Sequence, residues 1–563
     1  MNMFRHENFQ PNAGHIGQPG WVKPTGSIKF MIDVEIAERL GRVRSGGRAG
    51  RKAQRSSENQ VPVVQAGMSG GTYKPLQNTD LEKIHHAALE ILATVGIAEA
   101  TPEVIELATE CGCILSDVGR LCFPKALIED VLTKAANEYV VHSRNSTHDD
   151  LHVGDYRVHY ATSGEAVTIF EFDTKTYRPS TLLDLYDACR LVDKLEYIHQ
   201  FGQTVIPTEI SDLDEHDFNV AYALVSGTEK PFEMTFNRAQ NIKGAVQMFD
   251  MVLGGEGRFA EKPFCTFGGC PIVSPLRFAK ENLDVLVESS RLGLINDIAI
   301  APQAGATAPV TLAGTLAQVT AEGLACLAIV NFINPGCPMS FAIWPFISDL
   351  RTGSFSGGSG EEALIIAAAV QIGKFYNLPT TVPSCMTDSK IPDAQAGYEK
   401  GISAVLAGLA GGNRILESAG MLGSLMGCSF EALVIDNDML GMVQRIIRGI
   451  EVTEETLSVE VIKDVALGAG HYLGHAQTLD RMQSEFLYPK IADRAPQGVW
   501  EQEGSKDILE RAHETAFEIL STHFPDHITP KTDTNIRDRF PILLSRGAMK
   551  PSARCERANC LGK

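Results

Sequence analysis

Between about residues 158 and 449 the sequence repeats one pattern, a short apolar run rich in β-branched and aromatic residues followed by a longer stretch of helical spacing. The runs predict strands near 158–163, 198–205, 231–236, 263–268, 297–302, 338–344, 379–384 and 414–419. The stretches between them predict helices near 181–194, 213–227, 238–253, 276–292, 311–333, 360–376, 392–409 and 429–449. Strands that alternate with helices through short loops pair in parallel, and eight such units predict an α/β fold of the (β/α)₈ TIM barrel type.

A doubly wound open sheet is the alternative fold. It usually carries a glycine-rich phosphate turn after its first strand, and no G-x-G-x-x-G occurs at that place in the sequence. The barrel is therefore the favoured prediction. Four regions follow from it: a flexible basic arm, an N-terminal helical segment, the barrel and a C-terminal helical extension whose end, from Pro525, is expected to be extended. Their predicted bounds are 1–70, 71–150, 151–450 and 451–563.

Charge and leader signals limit the partners and the compartment. The formal net charge of −19 argues against general binding of nucleic acid, which requires clustered Lys and Arg. The first twenty residues have no apolar signal region, and no run of ~20 uncharged apolar residues suggests a membrane span. We therefore expect a cytoplasmic protein with no membrane partner. The arginines around Gly46 and Gly47 fit either a solvated tail or an arm that contacts an acidic partner or a neighbouring subunit of a homo-oligomer.

In a barrel of this type the chemistry lies at the carboxyl ends of the strands. Histidine is missing from all eight predicted strand ends, so no zinc site is expected there. His471 and His475, four residues apart on a predicted helix, are given a structural role. The residues that do fall at or near the strand ends are carboxylates, an amide, sulfur-containing side chains and aromatic rings: Glu165, Asp388, Glu417, Gln303, Cys385, Met386, Tyr160, Phe236, Phe267, Trp344 and Phe346.

Aromatic faces beside negative charge favour a methylated cation, since each desolvated face contributes ~0.5–2 kcal/mol. For any single one of these rings, simple filling of the barrel is the competing interpretation. Trp344 is the strongest candidate, because it ends a strand next to Pro345 and is one of only 3 tryptophans. The glycine-rich stretch 353–360 is interpreted either as a mobile lid over the site or as a plain flexible loop.

Two stretches resemble the trimethylamine methyltransferase family. The first runs from Thr387-Asp388-Ser389-Lys390 through Pro392-Asp393-Ala394-Gln395-Ala396-Gly397-Tyr398-Glu399, and the second starts at His471-Tyr472-Leu473-Gly474-His475. The resemblance covers roughly residues 70–520 and implies a (β/α)₈ barrel that passes a methyl group from a methylated amine to the Co(I) of a separate corrinoid protein. It implies no tightly bound cofactor, since the corrinoid (cobalamin) comes with the partner.

Some members of that family carry pyrrolysine inside the barrel, whereas this sequence has only the twenty standard residues. The corresponding position falls around Ser384-Cys385-Met386, which makes Cys385, Met386 and Asp388 the catalytic candidates. Members without pyrrolysine include demethylases of quaternary amines such as glycine betaine. The resemblance therefore implies a quaternary amine substrate, held by Trp344, Phe346 and other aromatic side chains at the mouth of the barrel, where the strands end.

Three alternatives stay open at this point. The chain is a barrel methyltransferase that acts on a tertiary or secondary amine, one that uses a folate partner, or a betaine-binding regulatory protein without turnover. For a quaternary amine the leaving group is already neutral, so no general acid is required, and the sequence suggests none.

Overall fold

The structure is a computed structural model that describes residues 63–550. At its centre lie eight short segments of extended chain, one in each predicted strand. We label them β1 to β8: Arg157–Tyr160, Phe201–Gly202, Phe232–Thr235, Cys265–Gly269, Asn296–Ile298, the bridged segment 339–343, Thr381–Pro383 and Arg414–Leu416.

Neighbouring segments pair in parallel along the chain. Ladders join β2 to β3, β3 to β4, β4 to β5 and β7 to β8. Isolated parallel bridges join β1 to β2, β5 to β6 and β6 to β7. The last strand, β8, pairs in parallel with the first, with Arg414 opposite His159 and Ile415 opposite Tyr160. The predicted α/β class with parallel strands is thus confirmed.

A helix follows each strand, with bounds within about four residues of those predicted from sequence. We label them α1 to α8: Leu182–Asp193, Leu213–Gly227, Asn241–Val252, Lys280–Arg291, Leu312–Ile333, Gly360–Phe375, Ala394–Ala410 and Phe430–Arg448. Side chains cap several of their first turns, as when Ser359 accepts a hydrogen bond from the Glu362 amide at the start of α6. Helix α5 is long and apolar enough to cross a membrane by composition, but 89% of its apolar window is buried inside the protein.

Residues before β1 are less helical than the sequence suggested. Three helices match the prediction, Asn78–Thr94, Pro102–Glu110 and Lys125–Lys134. Between and after them lie two antiparallel pairs, Ile114–Leu115 with Leu121–Cys122 and Glu138–Val141 with Leu151–Gly154. A further strand, Met68–Ser69, pairs antiparallel with the start of β1. The short β-pairs were missed because two to four residues are too few to show a period of two.

After α8 the chain forms the helices Val459–Leu467, Ala476–Glu485, Gln497–Gln502, Ile508–Thr522 and Pro530–Arg539. The last of these corrects the prediction of an extended end from Pro525. The sequence does mark the start of this helix, because Thr529 is its N-cap residue and Pro530 its first residue, a typical pattern at helix N-termini. His471 and His475 do not share a helix, because His475 is the N-cap residue of Ala476–Glu485 and His471 lies in the preceding loop.

The remaining short elements lie in the loops that follow the strands, except for one short helix between α3 and β4. They are the strands Thr168–Glu171, Thr176–Pro179, Ile272–Val273, Arg277–Phe278, Gln303–Ala304, Phe346–Asp349, Ser354–Phe355, Met421–Leu422 and Gly427–Cys428, and the helix Arg258–Glu261. The main hydrophobic core lies between the strands and the helices. A second, smaller cluster, here called the inner cluster, consists of Ala161, Ala342, Trp344, Phe346, Met386 and Leu416.

Candidate functional site

Three neighbouring strands end in residues with a left-handed backbone. Glu165 after β1 has φ 48°, Cys385 after β7 has φ 59° and Glu417 after β8 has φ 60°. For side chains other than glycine this conformation costs about 1–2 kcal/mol at each position. Strain of this kind concentrates where structure is held for function. The carboxyl ends of β7, β8 and β1 are therefore the first place to look for a site.

Cys385 and Met386 are neighbours in sequence, but their surroundings differ. The Cys385 thiol is fully buried, belongs to the main core, and its backbone N–H donates to Ser403 Oγ of α7 at 3.1 Å. Met386 belongs to the inner cluster, and an added Cβ on Gly357 of the glycine-rich stretch would lie 2.8 Å from its Cβ. Of the two sulfur-containing candidates, Met386 is the one that faces the strand ends.

Trp344 and Phe346 also belong to the inner cluster. Their ring centroids are 6.4 Å apart, and Phe355 from the glycine-rich stretch adds a third ring 4.5 Å from Phe346. The Trp344 indole N–H donates to the Thr381 carbonyl at 3.0 Å, which fixes the ring against β7. Phe355 was not singled out from sequence, because it lies within a glycine-rich loop rather than at a strand end.

Tyr160 and Phe236 do not lie at the mouth, and this corrects the sequence prediction. The Tyr160 hydroxyl donates to the Ala404 carbonyl of α7 at 2.9 Å, outside the strands. Phe236 stacks on Phe267 with centroids 5.4 Å apart, and Phe267 in turn packs on Phe259. Successive side chains of a strand point to opposite faces. The rings of Tyr160 and Phe236 therefore point away from the interior of the strands, toward the surrounding helices.

Glu165 and Glu417 bring two carboxylates to the strand ends. Burial, together with the nearby charge of Glu165, raises the pKa of Glu417 to about 8. Burial also raises the pKa of Glu165, although a hydrogen bond from Thr235 and the nearby His216 oppose the shift. The Glu417 side chain is 3% exposed, and its Oε2 atom has no hydrogen-bond partner among residues 63–550. Carboxylates left in this state are typical of functional sites.

Two further glutamates face the same place, and sequence reasoning missed both. Glu362 in the first turn of α6 is 1% exposed. Burial raises its pKa, Glu417 and Asp388 add to the shift, and the Ile347 backbone N–H opposes it. Neither Glu362 oxygen makes a well-formed hydrogen bond within the described part of the chain. Glu233 lies inside β3, where the pattern gives no sign of which face a charged residue takes. We call Glu165, Glu362 and Glu417 the strand-end carboxylates.

Cys270, just after β4, shows that these groups border a recess. Its side chain is exposed to solvent, yet burial, with Glu165, Glu417 and Glu233, raises the pKa of its thiol to about 12. A group that water reaches while protein atoms crowd it lies in a concave wall rather than on a convex surface. Gly268 lines the same wall, because a Cβ there would lie 3.2 Å from both Glu233 Oε1 and Thr235 Oγ1.

Asp388 and Gln303 hold loops rather than face the recess directly. Asp388 accepts hydrogen bonds from Ser356 Oγ at 2.7 Å, the Gly357 N–H at 2.9 Å and Ser424 Oγ at 2.6 Å. It therefore ties the glycine-rich stretch to the loop after β8. Gln303 accepts from Ser348 Oγ at 2.9 Å and pairs with Phe346 along the backbone. Both residues position the neighbours of the aromatic rings.

No set of three or more His, Cys, Asp or Glu side chains within residues 63–550 forms a group that would hold a metal ion. The site is instead defined by a small aromatic cluster, by carboxylates that carry raised pKa values, and by a loop closed over it. Aromatic faces and carboxylates both attract positive charge, so this combination is chemically suited to a soft organic cation.

Comparison with known proteins gives the family. The model of the family described as trimethylamine methyltransferase (MTTB) matches residues 44–540. A trimethylamine methyltransferase of Desulfitobacterium hafniense is 30% identical over 479 residues, which is 84% of this chain and 95% of the relative. A glycine betaine methyltransferase of the same species is 30% identical over 466 residues, 83% of this chain and 96% of the relative. The chain belongs to the trimethylamine methyltransferase family.

Among solved structures, the monomethylamine methyltransferase of Methanosarcina barkeri is similar with a TM-score of 0.43 and 14% identity, covering 81% of this chain and 95% of that one. The sequence relatives carry the assignment by themselves. The protein is a methyltransferase, and its relatives are named for trimethylamine and for glycine betaine. The resemblance inferred from the Asp388 and His471 stretches is confirmed.

Proposed function

We propose that the protein transfers a methyl group from a small quaternary amine to the Co(I) of a cognate corrinoid protein. The observation that carries this proposal is the cluster at the strand ends. Trp344, Phe346 and Phe355 pack there with Leu416, the residue before Glu417. The backbone N–H of Ile347, the residue after Phe346, faces Glu362. The aromatic faces attract the methylated nitrogen, and the carboxylates balance its charge.

We further propose that the eight strands form a closed (β/α)₈ barrel that spans residues 151–450. The parallel pairing of β8 with β1 supports closure. In such barrels the loops at the carboxyl ends of the strands form the active site, which is where the strand-end carboxylates and the inner cluster meet. Residues 71–150 and 451–563 then flank the barrel, and the arm 1–70 lies largely outside the described residues. A cytoplasmic location fits this proposal.

The chain's own residues have simple tasks in this reaction. Departure of a methyl group from a quaternary nitrogen leaves a neutral tertiary amine, so the protein does not have to protonate the leaving group. It has to hold the cation, point one methyl group out of the recess toward the corrinoid and exclude water. Trp344 and Phe346 hold the cation, Met386 forms an apolar wall, and Asp388 keeps the glycine-rich stretch in place over them.

A tertiary amine is the second candidate substrate, and the raised pKa of Glu417, about 8, favours it. A tertiary amine leaves as a neutral product only if its nitrogen carries a proton during methyl transfer. A carboxyl group that keeps its proton near neutral pH is suited to supply it. The amine panel described next separates the two candidates.

The test is methyl transfer to free cob(I)alamin, followed by the change in its absorption spectrum. The panel contains tetramethylammonium, choline, glycine betaine and trimethylamine. Turnover of a quaternary amine supports the proposal, whereas turnover of trimethylamine alone supports the second candidate. If the protein binds an amine but transfers no methyl group to cob(I)alamin or to a corrinoid protein, the result would instead indicate a regulatory protein. The exposed Glu361, next to Glu362, gives the matched control: Glu361→Gln keeps full activity and Glu362→Gln loses most of it.

A further inference from the structure

We propose that Glu165 and Glu417 form a proton-exchanging cation site, which gives up one proton when a permanently charged ammonium ion binds and takes it back when the product leaves. The inference rests on the proposed function only in that the recess binds an ammonium ion. It concerns how the empty site tolerates its own negative charge, which the family assignment does not address.

The geometry brings the two carboxyl groups to adjacent strand ends. The Ser418 N–H, directly after Glu417, donates to the Ala161 carbonyl of the β1 end at 2.9 Å, which joins the two chain segments. Both glutamates have positive φ, so neither side chain follows the ordinary alternation of its strand. Glu417 Oε2 is buried and has no hydrogen-bond partner among the described residues. It is free to accept a ligand or to carry a proton.

The other titratable and charged groups around the pair come from several elements. Three acidic groups interact with the pair through their charge: Glu233 of β3, Glu362 of α6 and the Cys270 thiol after β4. His216 of α2 interacts with Glu165 in the same way. Glu165 raises the pKa of Glu417, and both raise the pKa of Glu233, so the carboxyl groups cannot all ionise together at low cost. His216 partly offsets the charge at Glu165. The Arg414 guanidinium is engaged deeper among the strands by Asp297 and Glu233.

The free site therefore keeps a proton on the pair near neutral pH, in keeping with the pKa of Glu417 at about 8. A quaternary ammonium ion brings a charge that cannot be lost. Placed beside the pair, it lowers the pKa of the carboxyl groups and releases the shared proton to solvent. After methyl transfer the bound amine is neutral, so the favourable charge contact disappears. The pair then takes up a proton from solvent as the amine leaves, and the charge of the empty site is restored.

The experiment is isothermal titration of the full-length protein with tetramethylammonium chloride between pH 6 and 9. At pH 7 it is run in phosphate and in Tris, whose ionisation enthalpies differ. If one proton with a pKa near 8 must leave, the affinity rises about tenfold from pH 6 to 7 and only about twofold from pH 8 to 9. The binding enthalpies in the two buffers then differ by close to the full difference between the ionisation enthalpies of phosphate and Tris. This corresponds to nearly one proton released for each ion bound. Wild-type protein alone decides the outcome, so no variant has to fold.

Two variants sharpen the result. Glu417→Gln removes the exchangeable proton, so its affinity becomes nearly independent of pH and its heat independent of buffer. Glu361→Gln, a change to an exposed neighbouring carboxylate, behaves as wild type. A flat affinity across pH 6–9 in the wild type, or no binding of tetramethylammonium at any pH, overturns the inference. Neither result touches the methyl transfer measured with the amine panel, so the two proposals can fail separately.

Discussion

Buried charged side chains occur at two depths along the parallel strands, and they differ in whether they have an ion-pair partner. Toward their start, the guanidinium of Arg414 on β8 is fully buried and ion-paired with Asp297 on β5 and with Glu233 on β3, and it donates to Gln200 Oε1 at 2.7 Å. At their carboxyl ends Glu362 and Glu417 are almost as deeply buried, and Glu165 is partly buried. There they raise one another's pKa. In the first layer, here called the matched layer, the buried cation has carboxylate partners. In the second, the unmatched layer, the carboxyl groups have raised pKa values and no ion-pair partner among the described residues.

The difference separates a structural group from a functional one. A buried charge with a partner holds elements together, because removal of either partner leaves the other uncompensated. A buried carboxylate that lacks a partner lowers stability, and proteins keep such a group where a ligand or a reaction uses it. Glu233 touches both layers, since it pairs with Arg414 and also faces Glu165 and Glu417. The four predictions that follow test this comparison.

The largest expected effect comes from the matched layer. Arg414→Met leaves Asp297 and Glu233 buried without their cation, and we expect a loss of about 3–5 kcal/mol in the free energy of unfolding. Chemical denaturation followed by circular dichroism measures it. Arg351→Met is the control, because Arg351 pairs with Asp349 on the surface, where solvent screens the interaction, so a much smaller loss is expected. Equal losses in the two variants would remove the distinction between the layers.

In the unmatched layer, Glu417→Gln should have the opposite effect on stability. The pKa of Glu417 is raised from 4.5 to about 8, so between these pH values the folded protein binds more protons than the unfolded chain. The stability of the wild type therefore falls as pH rises through this window. The variant has no such loss, and its melting temperature should exceed that of the wild type at pH 9 but not at pH 5. For a chain of 563 residues each kcal/mol should shift the melting temperature by about 1 °C.

That gain in stability should come with a loss of methyl transfer, which is what distinguishes a functional carboxylate from an ordinary buried one. Thermal melts at the two pH values and the cob(I)alamin assay on the same preparation give both quantities. A melting difference that is the same at pH 5 and pH 9 would show that Glu417 is not the group that titrates.

A smaller effect is expected from the aromatic wall. Trp344→Leu keeps an apolar side chain and removes the ring, so the dissociation constant for a quaternary ammonium ion should rise about 2- to 30-fold, as for ~0.5–2 kcal/mol from one aromatic face. Isothermal titration measures it. Trp500→Leu serves as control, since Trp500 lies in the helix Gln497–Gln502 and donates to the Lys506 carbonyl. An unchanged dissociation constant for Trp344→Leu would remove this ring from the cation site.

The smallest effect concerns the loop held by Asp388. Asp388→Asn replaces the carboxylate that accepts hydrogen bonds from Ser356, Gly357 and Ser424 with a neutral amide that has a single acceptor oxygen. Amide hydrogen exchange in residues 353–358 should therefore become faster. We expect KM to rise a few-fold while kcat changes little, because the reacting groups stay in place. Exchange measured by mass spectrometry checks the loop directly. A fall in kcat without faster exchange would give Asp388 a direct role in the reaction.

Much of the fold could be read from sequence because the signals were long and repeated. All eight strands and eight helices of the central region occur where the alternation of periods placed them. The misses have local causes. The helix Pro530–Arg539 has few apolar residues, so no helical stripe showed, although Thr529 and Pro530 mark its start.

The site was harder to predict because it depends on where side chains point. Tyr160 and Phe236 were placed at the mouth by their position along the chain, yet the alternation of strand faces turned them outward. Glu165 and Glu417 were found because they end strands. Glu362 was missed because a glutamate in the first turn of a helix usually lies at the surface. There its negative charge interacts favourably with the helix dipole. Its burial follows from tertiary packing, which no local pattern shows.

The most direct measurement is a crystal structure of the protein soaked with tetramethylammonium. The recess at the strand ends should hold the ion with its nitrogen within about 6 Å of the centroids of Trp344 and Phe346. A carboxylate oxygen of Glu417 or Glu362 should lie on its other side. An ion that binds elsewhere, with the recess filled only by water, would contradict the claim that the unmatched carboxylates and the aromatic wall together form a cation site.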